Sequence, residues 1–164
     1  MSDTLEAVST IVNMLETGWK VIEANQPSAE IHRGRANAVP QVDDSRGLTG
    51  TQGPSYHRWR LKYTNGFDMD VVDIQIKLNW EYAVRYKNGG AYIPNVWLEV
   101  PHCSVLWGYD VSLGFEAQTP TNQGTERAPI ARIPVSVIGS VTTPFWTEQV
   151  EWSFTLFGDG SSQS

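Results

Sequence analysis

A single cysteine, Cys103, stands in this chain, so no intrachain disulfide can form and a disulfide-stapled scaffold is excluded. No Asn-x-Ser/Thr acceptor for glycosylation occurs either. Positive charge is scarce. Twelve Lys and Arg stand against eighteen Asp and Glu, a net charge of −6. Polyanions select cationic surfaces, so nucleic acid is not expected as a partner and strongly anionic lipid is disfavoured. Asp3 and Glu6 precede the first cation, Lys20, so no Sec signal peptide is expected. Synthesis in a cytoplasm follows, with residence there or release by a leaderless route. No run of about 18 apolar residues is present to cross a membrane as a helix. Also missing are Cys-x-x-Cys, His-Glu-x-x-His, Gly-x-Ser-x-Gly, a phosphate loop and a dinucleotide fingerprint. No catalytic residue, metal or cofactor is therefore expected, and a non-enzymatic role is favoured.

What is present is aromatic and alternating. Seven Trp, six Tyr and five Phe in 164 residues mark a folded protein of one domain's length. In "DVVDIQIKLNWEYAVRY", Asp70 to Tyr86, the apolar residues Val72, Ile74, Ile76, Leu78, Trp80, Tyr82, Val84 and Tyr86 fall on even positions. Polar residues fall on the odd ones. That is the period of a strand with one buried face. From Val72 to Tyr86 an unbroken strand would span about 50 Å, longer than globular strands run, so a bend is expected near Ala83 to Arg85. Trp59, Leu61 and Tyr63 alternate with Arg58, Arg60 and Lys62, and "TNG" at Thr64 to Gly66 signals a turn between the two runs. Further alternating runs follow at Tyr92 to Val100, Cys103 to Phe115, Ile133 to Val141 and Val150 to Leu156. Pro94 marks its run as an edge or a bulge. The expected fold is mainly β: an antiparallel β-sandwich of about seven or eight strands, occupying 57–160.

Residues 1–26 read differently. Leu5, Val8, Val12, Leu15, Trp19 and Ile22 are spaced 3, 4, 3, 4, 3, the seam of an amphipathic helix. Asp3 or Thr4 can cap it, and Pro27 ends it. Residues 27–56 then form a loop-rich connection, with a short strand around Glu30 to Val39. The helical arm is expected to pack on the sandwich or on a neighbour.

Candidate chemistry is sparse, and each signal has a bland counterpart. His102 and Cys103 are adjacent, hence on opposite faces of a strand, and Cys103 falls on the apolar side, where a buried inert thiol is usual. Asp68, Asp70 and Asp73 are more economically turn, cap and ion-pair residues than calcium ligands. The cations Arg58, Arg60 and Lys62 are expected to pair with acids of a neighbouring strand such as Asp73 and Glu81. More informative are aromatics outside the core pattern. Trp97 falls on the face opposite Val96 and Leu98, and Phe145 and Trp146 lie in the turn-like "TTPFWTE". Exposed Trp of this kind marks interfaces for protein, sugar or lipid headgroups.

The leading expectation is an interaction or assembly protein, a homo-oligomer or partner binder, acting through the N-terminal helix and exposed aromatics. An amphipathic N-terminal helix ahead of an aromatic-rich sandwich also resembles, in outline, the actinoporin-type pore formers. That resemblance implies a helix that leaves the sandwich and inserts in lipid. The acidic residues Asp3, Glu6, Glu16 and Glu23 then point to a zwitterionic or glycolipid target. A lectin-like carbohydrate binder using Trp97 or Trp146 is the third reading.

Overall fold

The computed structural model describes residues 17–21, 29–33, 35–38, 48–86, 89–125 and 127–164. Among them every regular element is a strand. In chain order these are β1 (Thr17–Val21), β2 (Ala29–Arg33), β3 (Arg35–Ala38), β4 (Leu48–Thr49) and β5 (Gln52–Thr64). β6 (Asp70–Tyr82), β7 (Val84–Tyr86), β8 (Gly89–Val105) and β9 (Asp110–Ala117) follow. The last are β10 (Thr121–Asn122), β11 (Ala131–Thr142), β12 (Thr147–Phe157) and β13 (Ser162–Gln163). One sheet runs β1-β2-β9-β11-β12-β13, with β10 beside β11. The other runs β4-β7-β8-β6-β5, with β3 beside β8. Pairs of named strands are antiparallel, save β2 with β9, which are parallel.

One apolar core joins the two sheets. Val72, Ile74, Ile76, Leu78 and Trp80 of β6 are buried together, as period two demands. Facing them are Val111, Leu113 and Phe115 of β9 and Ile133, Val135, Val137 and Val141 of β11. Along the side formed by β5 and β12 the core is closed by packed rings: Trp59 lies tilted at 5.6 Å from Trp152 and 5.0 Å from Phe154, and His57 stacks at 4.8 Å on Phe154. The outward row of β5 and β6 is charged. Arg60 donates two hydrogen bonds to Asp73, at 2.6 and 3.0 Å, and Lys62 lies 3.2 Å from Asp70. These are the cross-strand pairs expected of a solvated face, with Asp73 in the expected role and Asp70 in place of Glu81.

The long alternating run does break where expected. β6 ends at Tyr82, and Ala83 takes a left-handed φ of 60° before β7 begins. The Ala83 amide donates to the Gly158 carbonyl at 2.8 Å, which fixes the kink to the β12–β13 turn. Pro94 lies where the pairing of β3 with β8 shifts register, between Ala36 opposite Val96 and Ala38 opposite Ile93.

Several expectations need correction. The strands number thirteen among the described residues, more than seven or eight, because kinks and short edge pieces divide the sheets. β5 starts at Gln52 rather than at 57. The helix expected over residues 1–26 is not among these corrections: of that stretch only Thr17–Val21, paired with β2, is described. Residues 1–16 and 22–28, and with them most of that helix and its seam residues Leu5, Val8, Val12, Leu15 and Ile22, lie outside the described residues. Cys103 is exposed rather than buried. The alternation from Cys103 to Phe115 is also not one strand. β8 ends at Val105 in one sheet, β9 begins at Asp110 in the other, and Trp107 in the intervening turn is exposed.

Candidate functional site

Strand register brings three turns to one end of the molecule. Thr64 opposite Asp70 places the β5–β6 turn there, and Val72 opposite Val105 sets the end of β8 beside it. The Leu106 amide donates to the Val71 carbonyl at 2.8 Å, holding the β8–β9 turn against the start of β6. Thr142 pairs with both Asp110 and Thr147, so the β11–β12 turn belongs to the same end. Rings tie the two sheets together behind the turns: Trp146 lies 6.1 Å from Tyr63 and 6.4 Å from Tyr109.

Local hydrogen bonds shape each turn, and its apolar side chains are exposed. In the first, the Asn65 side-chain oxygen accepts from the amides of Phe67 (2.9 Å) and Met69 (3.1 Å). Asn favours such local bonds, and Asp68 tolerates the left-handed φ of 57° that closes the turn. In the second, Gly108 supplies a φ of 87° and Tyr109 donates to the Leu106 carbonyl. In the third, the Thr143 hydroxyl oxygen accepts from the amides of Phe145 (3.2 Å) and Trp146 (3.1 Å). Phe145 is 93% exposed, Phe67 86% and Trp107 75%; Met69, Leu106 and Trp146 are exposed as well. Of the large apolar side chains exposed among the described residues, Tyr56 stands apart from this end.

The surroundings are acidic. Asp68 lies on the first turn, and Asp70, Asp110 and Glu148 lie on the strand residues beside the three turns. The nearest cation in β5, Lys62, is paired with Asp70. Tyr63 hydrogen-bonds Glu148, and partial burial together with that carboxylate raises the phenol pKa above its usual 10.0.

The sequence thus located Phe145 and Trp146 correctly as turn aromatics, but it missed Phe67, Met69, Leu106 and Trp107. Phe67 and Met69 follow the "TNG" turn signal, which could have flagged them. Trp107 was hidden by an accidental continuation of period two through a turn. Trp97 is elsewhere, half-buried on the outward face of β8, with its indole N–H donating to Glu99 at 3.1 Å. The side chain of Trp19 is not among those described.

At the opposite end an open cleft of about 420 Å³ lies between the start of β5 and the β12–β13 turn. His57 sits in it, stacked between Trp80 (5.4 Å) and Phe154 (4.8 Å), with Nε2 2.8 Å from the Ser162 hydroxyl. Burial lowers the His57 pKa, so near neutral pH its ring is uncharged. Among the described residues no carboxylate hydrogen-bonds this imidazole in the way that orients a catalytic base. No three His, Cys, Asp or Glu side chains converge as metal ligands among the described residues. Asp73 is engaged instead by Arg60 and, at 3.7 Å, by His102. The Cys103 thiol, although exposed, is desolvated enough by its neighbours for its pKa to lie above the ordinary 9.0, the opposite of an activated thiolate. Searches of protein-family models, of curated proteins and of solved structures found no match to this chain.

Proposed function

We propose that this chain is a non-enzymatic binding module of β-sandwich architecture whose contact surface is the turn end. One observation carries the reading: six large apolar side chains from three turns, contributed by both sheets, stand exposed together. Exposed apolar groups scattered singly are ordinary, whereas a contiguous group ringed by polar residues marks a contact site. The local hydrogen bonds of Asn65 and Thr143 hold the turns in place, so little conformational entropy is lost on contact. The reading keeps the expected class of activity and moves its surface. Assembly through the N-terminal heptad, and insertion of that helix in lipid, both rest on residues mostly outside those described. A sugar site on Trp97 is not favoured, because its N–H is taken by Glu99 and its ring is half-buried.

The test is the triple variant Phe67→Ser/Trp107→Ser/Phe145→Ser in the full chain. A contact surface contributes nothing to the isolated fold, so the variant is expected to melt within about 2 °C of the parent while binding less of a hydrophobic fluorescent dye. A melting point lowered by more than about 5 °C with unchanged dye binding would assign these side chains to the core instead.

A further inference from the structure

We infer that two copies of this chain join edge to edge, each setting its β5 beside the β12 of the other, on a surface separate from the turn end. Among the described residues both strands present an open edge. β5 pairs with β6 alone. β12 has β11 on one side, and on the other β13 covers Thr155 and Leu156 and leaves 147–154 uncovered. An unpaired edge offers its N–H and C=O groups to any strand that comes beside it. Neither 55–64 nor 147–154 contains Pro or Gly, so each residue can enter a ladder. A second copy fits both edges at once. Ring contacts set β5 and β12 side by side across the two sheets: Trp59 meets Trp152 and Phe154, His57 meets Phe154, and Tyr63 hydrogen-bonds Glu148. Numbers rise along β5 as they fall along β12, so the two edges are antiparallel and level. A twofold axis along the strands carries the β5 of each copy to the open side of the other's β12, still antiparallel. A pure rotation allows no slide along its axis, so the level is kept and Arg60 falls opposite Glu151 of the second copy. Both side chains lie on the outward, exposed phase of their strands, as does Arg58. Charge agrees with this pairing. Arg60 and Lys62 are bonded to Asp73 and Asp70, but Arg58 stands opposite Lys77 with the Tyr56 ring beside it and no carboxylate among the described residues. Joining the edges sets Glu151 between Arg58 and Arg60 of the second copy, within reach of long side chains. Pairing β5 with the β5 of a second copy instead sets the cation row against itself, which is unfavourable. The exchange uses both edges of both copies, so assembly closes at two.

Sedimentation equilibrium of the full chain at micromolar concentration is expected to give twice the monomer mass. Glu151→Lys and, separately, Arg58→Glu should each raise the dimer dissociation constant about tenfold or more, because each sets like charges together across the junction. The double variant Arg58→Glu/Glu151→Lys restores opposite signs and should recover most of the loss. Within one chain these two residues lie on the outward faces of different sheets, so their charges couple between copies and not in cis. The Phe67→Ser/Trp107→Ser/Phe145→Ser variant should dimerise as the parent does. Amide hydrogen exchange reads the same junction without any substitution, should a charge reversal fail to fold: on dilution of the parent, amides of 55–64 and 147–154 should lose protection while those of β9 keep it. A parent that stays monomeric overturns the inference and leaves the turn end untouched as a contact surface. So does a dimer that the turn variant dissociates and the charge reversals do not, which assigns self-association to the turn end. A dimer weakened by each reversal but not recovered in the double variant overturns the pairing of β5 with β12.

Discussion

Leu78 and Trp80 sit two residues apart on the same face of β6, and both are buried. Their truncations are nevertheless expected to differ. Leu78 is wholly apolar and fully enclosed, so Leu78→Ala loses transfer energy and leaves a cavity, about 2–5 kcal/mol. Trp80 keeps its indole N–H buried with no acceptor among the described residues, a cost of about 1–3 kcal/mol. Trp80→Phe removes that donor while retaining a ring against His57, so the lost volume and the relieved donor offset each other to within about 1 kcal/mol. Urea unfolding of the two variants measures the difference. His57 makes a second residue-scale prediction. Burial holds its folded pKa below the ordinary 6.5. Above pH 6.5 the ring is neutral folded or unfolded, and its environment is fully compatible with the native state. As the pH falls below 6.5, the unfolded chain takes up the proton first and stability declines. The parent is therefore expected to lose more stability than His57→Phe between pH 7 and pH 5, read as the difference of two denaturation series.

Two elements are held by backbone geometry that no hydrophobic pattern encodes. The kink at Ala83 and the turn after β12 meet at Gly158, whose amide donates to Ala131 and whose carbonyl accepts from Ala83, both at 2.8 Å. A Cβ built on Gly158 would lie 2.0 Å from the Ala91 carbonyl oxygen, so no side chain fits without parting β8 from this turn. Gly158→Ala is expected to destabilise by about 1–3 kcal/mol or more. Gly66→Ala, where a Cβ meets nothing within 4 Å, is expected to be neutral or slightly stabilising. Thermal melts of the pair check both. The kink itself was legible, because Ala83 interrupts the polar side of a run too long for one strand. Its partner at Gly158 was not, since 75 residues separate them and only the closed sheet brings them together.

At the scale of the whole molecule, strands are joined by pairings distant in sequence: β2 with β9, β4 with β7 and β3 with β8. Closing such loops costs entropy before contacts form, so refolding is expected on the scale of milliseconds to seconds rather than microseconds, followed by stopped-flow tryptophan fluorescence. Much of the architecture was legible without coordinates. Side chains in an extended chain alternate by covalent geometry, so the even residues of β6 had to share a face, and the cations of β5 had to share the other. That phase holds only within one strand. Each turn resets it, which is why Trp107, in step with Cys103 and Phe115 on paper, stands in water between two sheets. Cys103 shares the inward phase of its strand and is exposed all the same, because burial needs a facing layer as well as a face. By itself the sequence determined the class of the fold, the inward face of β6 and the turns after β5 and β11. Tertiary structure alone decided that Phe67, Trp107 and Phe145, contributed by turns of both sheets, would meet at one end, because strand order and register set the neighbours of a turn and period two carries no record of either.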